Sequence, residues 1–452
     1  MGKKITIDPI TRLEGHGKIA IFLDDEGAVE NAYLQIPELR GFEKFCEGRP
    51  LEELPRITPR ICGVCPTAHH LASAKATDAC YNVHIPSPGR KLRELLNAAF
   101  YVDDHSTHFY VLAAPDYVVG PSANPKERNI IGLIGKVGVE TGKKVLGLRK
   151  ACQRVVEILG GKYVHPVCAV PGGMSKAITE EEREEIEAIA KSAVEFAQLS
   201  LQIHNDVVLD NSDYLELATG DVYRHETYYM GLVDENNHVN HYDGKLRIVD
   251  PQGNEVAKFG PDEYLDNIAE HVEPWTYLKF PHFKKVGWKG LVDGKDSGIF
   301  CVAPLGRLNA ADGMSTPLAN AEYQKFYETL GGKPVHHRLA THWARLIGML
   351  NEAERMVALA RDPEITSPDV RTIPTETPGP GVGIVEAPRG TLIHHYWPDE
   401  DGICRKANLI VGTTHNYAAI CLTIKRAAQK LIQPGGTVDE GLLNMIEMGF
   451  RS

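Results

Sequence analysis

The sequence contains no stretch near the ~20 consecutive apolar residues that a membrane-spanning helix requires. Its opening, Met1-Gly2-Lys3-Lys4-Ile5-Thr6, lacks the apolar core of a secretory leader. The loose myristoylation pattern at Gly2 and Thr6 reads as coincidence, because Ile5 to Ile7 runs straight into a strand. Basic charge is sparse: 49 Lys+Arg stand against 60 Asp+Glu, a net charge of -11, with no dense basic run. That argues against nucleic acid as a partner. A disulfide framework is missing too. The nine cysteines (Cys46, Cys62, Cys65, Cys80, Cys152, Cys168, Cys301, Cys404 and Cys421) are odd in number and form only one close pair. Such usage points to a reducing, cytoplasmic compartment and a metal or redox role for that pair. No Gly-x-Gly-x-x-Gly follows a strand, and no ferredoxin-like run of cysteines occurs.

With 43% hydrophobic and 24% charged residues, the chain has ample material for a core. The patterning predicts an α+β fold, predominantly helical, with long central helices and peripheral β-hairpins in one domain over residues 1–452. Residues 1–60 read as β-rich: Lys18–Leu23 alternates, Asp24 to Gly27 turns, and Val29–Ile36 returns. A helical core is expected over 61–215, with Leu92, Leu95, Leu96 and Ala99 on one stripe. A capping box at Thr179 and Glu182 opens a long helix running to about Leu209. A β-rich insertion follows over 216–300, then helices over 301–361 and a Pro/Gly-rich loop over 362–388. A hairpin and a final helix, about Asn416 to Leu431, are expected in 389–452.

The sharpest local feature is Arg60-Ile61-Cys62-Gly63-Val64-Cys65-Pro66, followed by His69-His70. Two thiolates three residues apart can clasp one soft or borderline metal. On local grounds a zinc site using Cys62, Cys65 and His69, a redox dithiol, a nickel or iron centre, and a bland structural pair all stay open.

Four further motifs surround the clasp: Arg12-Leu13-Glu14-Gly15-His16 in the first strand region, Arg40-Gly41-Phe42-Glu43, Asp103-Asp104-His105 with His108-Phe109-Tyr110 on a helix, and Glu386-Ala387-Pro388-Arg389-Gly390 opening the late hairpin. In this order, together with Cys62 and Cys65, they resemble the large, catalytic subunit of nickel–iron hydrogenases over essentially the whole chain. Cys65-Pro66, His69-His70-Leu71-Ala72 and Ala114-Pro115-Asp116 resemble the cytoplasmic, methyl-viologen-reducing (F420-non-reducing) branch that feeds heterodisulfide reductase.

The resemblance implies a Ni–Fe(CO)(CN)2 centre and heterolytic H2 cleavage. It implies Cys62 as terminal nickel ligand, Cys65 as bridging ligand, and His69 as a hydrogen-bond donor to a bridging sulfur. Glu14 becomes a proton relay whose pKa burial would raise. Arg389, next to Pro388, becomes a fixed cation over the open metal face, paired with Asp104. Thr413 would donate to an iron cyanide, although the family often has Pro where Gly412 stands. Glu43 and the Leu409 carbonyl would hold Mg2+ or a similar hard cation. An iron–sulfur small subunit must then carry the electrons away, across a large apolar interface.

One expected element is missing. The family's second pair, Asp-Pro-Cys-x-x-Cys-x-x-His, belongs about where this sequence reaches Met448-Gly449-Phe450-Arg451-Ser452. Three sources are open: a separate short polypeptide, which often carries selenocysteine; a truncated sequence; or a cluster-free scaffold related to the quinone-reductase subunit of respiratory complex I. The intact set Glu14, Cys62, Cys65, Asp104 and Arg389 speaks against the scaffold.

Overall fold

The computed structural model describes residues 3–38 and 40–452; Gly2, and with it the myristoylation-like pattern, lies outside the described residues. Four long helices build the centre: Ser87–Thr107, Val139–Gly160, Glu180–His204 and Thr341–Ala360. Leu92, Leu95, Leu96 and Ala99 on the first and Ile186, Ala190, Ala193 and Ala197 on the third recur at helical spacing. They meet in one apolar cluster with Trp343, Leu346 and Leu350 of the fourth. The expected capping box is present, with Glu182 N–H donating to Thr179 Oγ1 at 3.2 Å and Thr179 N–H to Glu182 Oε2 at 3.0 Å. The helix ending at Thr107 continues as wide π-helical turns over His108–Ala113 and Pro115–Val119.

The first hairpin, Lys18–Leu23 with Val29–Gln35, forms as expected, and Lys4–Ile7 adds a third antiparallel strand to it. This sheet packs on the helix Gly412–Leu431, where Ile19, Ile21 and Leu34 meet Ala418, Cys421 and Leu422. The middle insertion is β-rich as expected, built around Tyr228–Val233, Lys245–Val249 and Glu255–Phe259.

Three expectations need correction. Residues 381–387, assigned to a Pro/Gly-rich loop, are the strand Gly381–Ala387, buried throughout. Its two glycines mask its β character, and Gly383 is small because a Cβ there would lie 2.1 Å from the Ala72 carbonyl of the helix beneath. The helix Gly412–Leu431 is not the last, since Glu440–Arg451 forms another, capped by Asp439, which accepts from Leu442 N–H at 2.8 Å. The segment Arg12–His16 is an irregular loop between two strands rather than a strand.

Candidate metal centre

The clasp is set by a helix start. Thr58–Ile61 is a short 3-10 turn, Cys62 is extended, and Cys65 caps the helix Pro66–Cys80 with Pro66 in its first turn. Proline there has a fixed φ and needs no N–H partner, so the helix begins directly after the second thiol. The turn brings the Cys65 N–H 3.1 Å from Cys62 Sγ. Cys62 is half-buried and Cys65 buried. The Cys65 side chain donates toward Cys62, and with the Arg389 charge this holds the Cys62 thiol below its ordinary pKa against burial. Cys65, as the donor and buried, is pushed well up.

Both sulfurs line a cavity of ≈ 330 Å³ that Glu14, Arg345, Arg389 and Thr413 also line. Arg389 stands on a two-residue turn: Ala387 pairs with Gly390 across the antiparallel strands Gly381–Ala387 and Gly390–Pro398, leaving Pro388 and Arg389 at the tip. Buried donors grip the carbonyls of this turn. Arg307 reaches Ala387 at 2.7 Å and Pro388 at 3.2 Å, Arg345 reaches Pro388 at 3.4 Å, and Asn416 Nδ2 reaches Arg389 at 2.8 Å. Arg389 Nη1 donates to Asp104 Oδ2 at 2.9 Å. Burial works against the Arg389 charge, but Asp104 and the two cysteines outweigh it and raise its pKa.

The Arg12–His16 loop has a different character. Glu14 is exposed at the cavity mouth, which overturns the expectation of a buried carboxylate. Its Oε1 lies 3.8 Å from where a Cβ on Gly63 would sit, so it stands against the clasp itself. His69, one helical turn after Cys65, bonds His394 Nε2 through Nδ1 at 3.1 Å. Its Nε2 is buried without a partner among the described residues, and burial lowers its pKa to about 3. The neighbouring His70 is buried, with Nδ1 bonded to the Pro55 carbonyl at 2.7 Å. Thr413 opens the helix Gly412–Leu431 on the cavity wall. Gly412 is required by close approach: a Cβ there would meet the Gly390 carbonyl oxygen at 2.7 Å. Glu43 and Leu409 meet, but in this structure Glu43 Oε1 accepts the Leu409 N–H at 3.0 Å, with Lys279 Nζ 3.7 Å away.

Sequence reasoning missed Arg345, Arg338 and Arg451, and it quoted Arg12 within a motif without giving it a role. All four line the cavity, and Arg345 Nε, Arg12 Nε and Arg338 Nη1 are buried without a partner among the described residues. Burial, Arg389 and Arg307 lower the Arg345 guanidinium to about 9, with Asp104 opposing. A signal existed: His342, Arg345 and Glu352 interrupt the buried stripe of their helix at helical spacing.

Among the described residues no three His, Cys, Asp or Glu side chains converge as a metal-holding group. That removes the zinc reading with His69 as third ligand. The residues present fit half of a four-thiolate nickel–iron centre: two thiols on one wall, with cationic donors lacking partners that would suit an anionic cluster. Cys301 lines the same cavity without forming a group with them. Cys46, Cys80 and Cys404 lie together in a separate apolar cluster, their thiols pushed up by burial to about 12, 12 and 11.

A family model described as nickel-dependent hydrogenase matches residues 40–129, and a HoxL-like model matches residues 4–39. An iron-sulfur subunit of the F420-non-reducing hydrogenase of Archaeoglobus profundus is 54% identical over 449 residues, covering 99% of this chain and 92% of that protein. The chain belongs to the nickel–iron hydrogenase large-subunit family. A vhu subunit of the F420-non-reducing hydrogenase of Methanocaldococcus jannaschii is 46% identical, covering 95% of this large subunit, and 100% of that protein. An NAD+-reducing [NiFe]-hydrogenase in the H2-reduced state superposes with a TM-score of 0.93 at 36% identity, over 99% of this chain and 97% of that one. The Ni-Fe-Se hydrogenase of D. vulgaris Hildenborough shares the fold, with a TM-score of 0.77 at 23% identity over 100% of both chains. This large subunit is therefore an oxidoreductase acting on H2, of a family that uses a nickel–iron active site and keeps its iron–sulfur clusters in the small subunit. Among the described residues no helix is long and apolar enough to cross a membrane.

Proposed function

We propose that this large subunit cleaves H2 heterolytically and reversibly, and that Cys62 and Cys65 would hold its nickel–iron centre as thiolate ligands. The observation that carries this reading is the meeting of both thiols, Glu14 and the Arg389 cation, itself anchored on buried Asp104, around one cavity. When bound, a nickel–iron centre would supply soft Lewis-acid chemistry toward H2. Arg389 would hold a fixed positive charge at the cavity wall, and Arg307, Arg345 and Asn416 keep its turn from moving. Glu14 receives the proton at its carboxylate beside the clasp and hands it to solvent at the mouth. His69, through its unpartnered Nε2, would tune a metal-bound sulfur, and Thr413, which also lines the cavity, would donate to the bound group. Glu43 and Leu409 hold a hard cation; in an antiparallel strand the carbonyl leaves on the same edge as the N–H that now faces Glu43.

The further thiolates the centre needs would come from outside the described residues, from a short separate polypeptide with selenium or sulfur as donor or from residues continuous with this chain, and would sit in the cavity against the unpartnered guanidinium nitrogens. Electrons leave through the iron–sulfur small subunit toward heterodisulfide reductase or a similar acceptor complex. Nine unpaired thiols support a reducing, cytoplasmic setting. The test is metal content and isotope exchange on the complex purified with its native partners. Nickel near one per large subunit is expected, and it should be lost in Cys65→Ser. Glu14→Gln should keep nickel while sharply reducing H2/D+ exchange. Nickel retained in Cys65→Ser would overturn the ligand assignment, and unchanged exchange in Glu14→Gln would remove Glu14 from the proton path. A polypeptide carrying a Cys or selenocysteine pair should co-purify; a pair encoded in continuation of residue 452 would replace the separate polypeptide.

A further inference from the structure

The strand Gly390–Pro398 lies against the helix Pro66–Cys80, and their periods match where they meet. Residues two apart on a strand are spaced by about 6.6 Å and residues four apart on a helix by about 6 Å, so one pair on each can face the other. His394 and Tyr396 meet His69 and Ser73 in this way. His69 Nδ1 lies 3.1 Å from His394 Nε2, His394 Nδ1 lies 2.8 Å from the Tyr396 hydroxyl, and that hydroxyl lies 2.7 Å from Ser73 Oγ. All four residues are fully buried. At the open end of the row, His69 Nε2 has no partner among the described residues. That ring stands one helical turn after Cys65.

The protons in this row follow from counting donors and acceptors. Neither ring is bonded to a carboxylate, and burial opposes a second proton on either, so each imidazole is neutral with one N–H. Ser73 Oγ has no other partner among the described residues, so its proton goes to the phenol oxygen. The phenol proton then has two acceptors within reach, His394 Nδ1 and Thr58. The Thr58 hydroxyl already donates to the Leu54 carbonyl at 2.9 Å and could only accept. A hydroxyl oxygen is a far weaker base than an imidazole nitrogen, so Tyr396 donates to His394 Nδ1. His394 is then protonated at Nε2 and donates to His69 Nδ1, which leaves the His69 proton on Nε2.

We propose that His394 and Tyr396 are positioning residues for the H2 reaction: with Ser73 they form a one-way row of donors that holds His69 as its Nε2–H tautomer. That N–H is the donor available to a metal-bound sulfur, a role that rests on the hydrogenase reading above. The opposite tautomer would turn a lone pair toward a thiolate and be repelled by it. No proton and no electron leaves the row, which sets only the direction of one N–H dipole.

Tyr396→Phe keeps the ring in the core and removes the proton that sets the row. In the holoenzyme it should retain nickel and lower H2 turnover about tenfold. The infrared bands of the iron's CO and cyanide should move to lower frequency, because a sulfur that loses its donor pushes more charge onto the metals. Ser73→Ala takes one bond from the same phenol but leaves the Tyr396 proton on His394, so the bands should move less than in Tyr396→Phe. A neutron structure of the perdeuterated parent complex should show deuterium on Nε2 of both His69 and His394 and on neither Nδ1. Deuterium on either Nδ1, bands unmoved in Tyr396→Phe, or bands moved as far in Ser73→Ala would overturn the assignment. A parent complex without CO and cyanide bands would instead strike the hydrogenase reading, and the neutron structure would still decide the direction of the row.

Discussion

The two flanks of the cavity are held in opposite ways. The turn carrying Arg389 is fixed by groups that are themselves buried: Arg307, Arg345 and Asn416 donate to its carbonyls, and Asp104 accepts from its guanidinium. The loop carrying Glu14 is tied by buried groups at its entry, while at its far end the tie is between exposed groups, His16 N–H donating to Glu38 Oε1 at 2.7 Å. Thr11 Oγ1 donates to Glu447 Oε2 at 2.5 Å, Arg451 Nη1 donates to the Thr11 carbonyl at 3.1 Å, and Arg12 reaches the Leu112 carbonyl at 2.7 Å and pairs with Asp116. Past that point Glu14, Gly15 and His16 are exposed. A cation that must stabilise developing charge gains from immobility, because no reorganisation remains to be done when the charge appears. A carboxylate that must collect a proton and release it gains from contact with water. The contrast in anchoring follows the contrast in task.

The sharpest way to break that contrast is to cut the loop's anchor. Asp116 takes Arg451 Nε at 3.2 Å and pairs with Arg12, all three side chains being nearly or fully buried. Asp116→Asn leaves buried Arg12 without its anion and Arg451 with Glu447 alone, and should cost about 3–5 kcal/mol in thermal unfolding. Hydrogen exchange should rise at Thr11–His16 and stay unchanged at 386–391. The same group sets an acid limit: burial would raise the Asp116 pKa, but Arg451 and Arg12 together hold it below the ordinary carboxylate value. Its contribution is therefore complete above the unfolded-state value of about 3.9 and fades as the pH falls toward the depressed folded value. Thermal stability measured below pH 4 should drop in the parent and change less in Asp116→Asn.

Next in size is the turn itself. Arg389→Lys keeps the charge but gives up the planar fork aimed at Asp104, and should lower H2 turnover about 10²-fold with nickel retained. Turnover near the parent's would mean that position matters less than charge on this flank. The smallest expected effect lies far from both flanks. Thr179→Ala removes the capping box and should cost about 1 kcal/mol in thermal unfolding, with H2 turnover unchanged.

Elements with a strong local code were legible from the residues. The capping box at Thr179, the Lys18–Val29 hairpin and the leucine stripe of Ser87–Thr107 came through because spacing and turn chemistry decide them within one or two turns of chain. The strand Gly381–Ala387 did not, because its glycines answer to the helix packed beneath it, about 300 residues earlier in the chain. The helix Glu440–Arg451 was also missed. Its buried Asn444, Glu447 and Arg451 look like a solvent-facing polar side until Thr11, Arg12 and Asp116 are brought against them.

Cys62-x-x-Cys65-Pro66 declares by itself a paired-thiol clasp at a helix start, since two sulfurs three residues apart on one turn need nothing distant to define them. Whether that clasp faces a cation, a carboxylate or plain core could not be read locally. Asp104 and Arg389 lie 285 positions apart, and only the packing of the helical core against the late hairpin closes that distance to 2.9 Å. The same packing removes Asp104, His69 and His394 from water and sets the two imidazoles in contact. Burial is a property of the assembled chain, and it turns ordinary polar residues into groups that must be paired, neutral or in use.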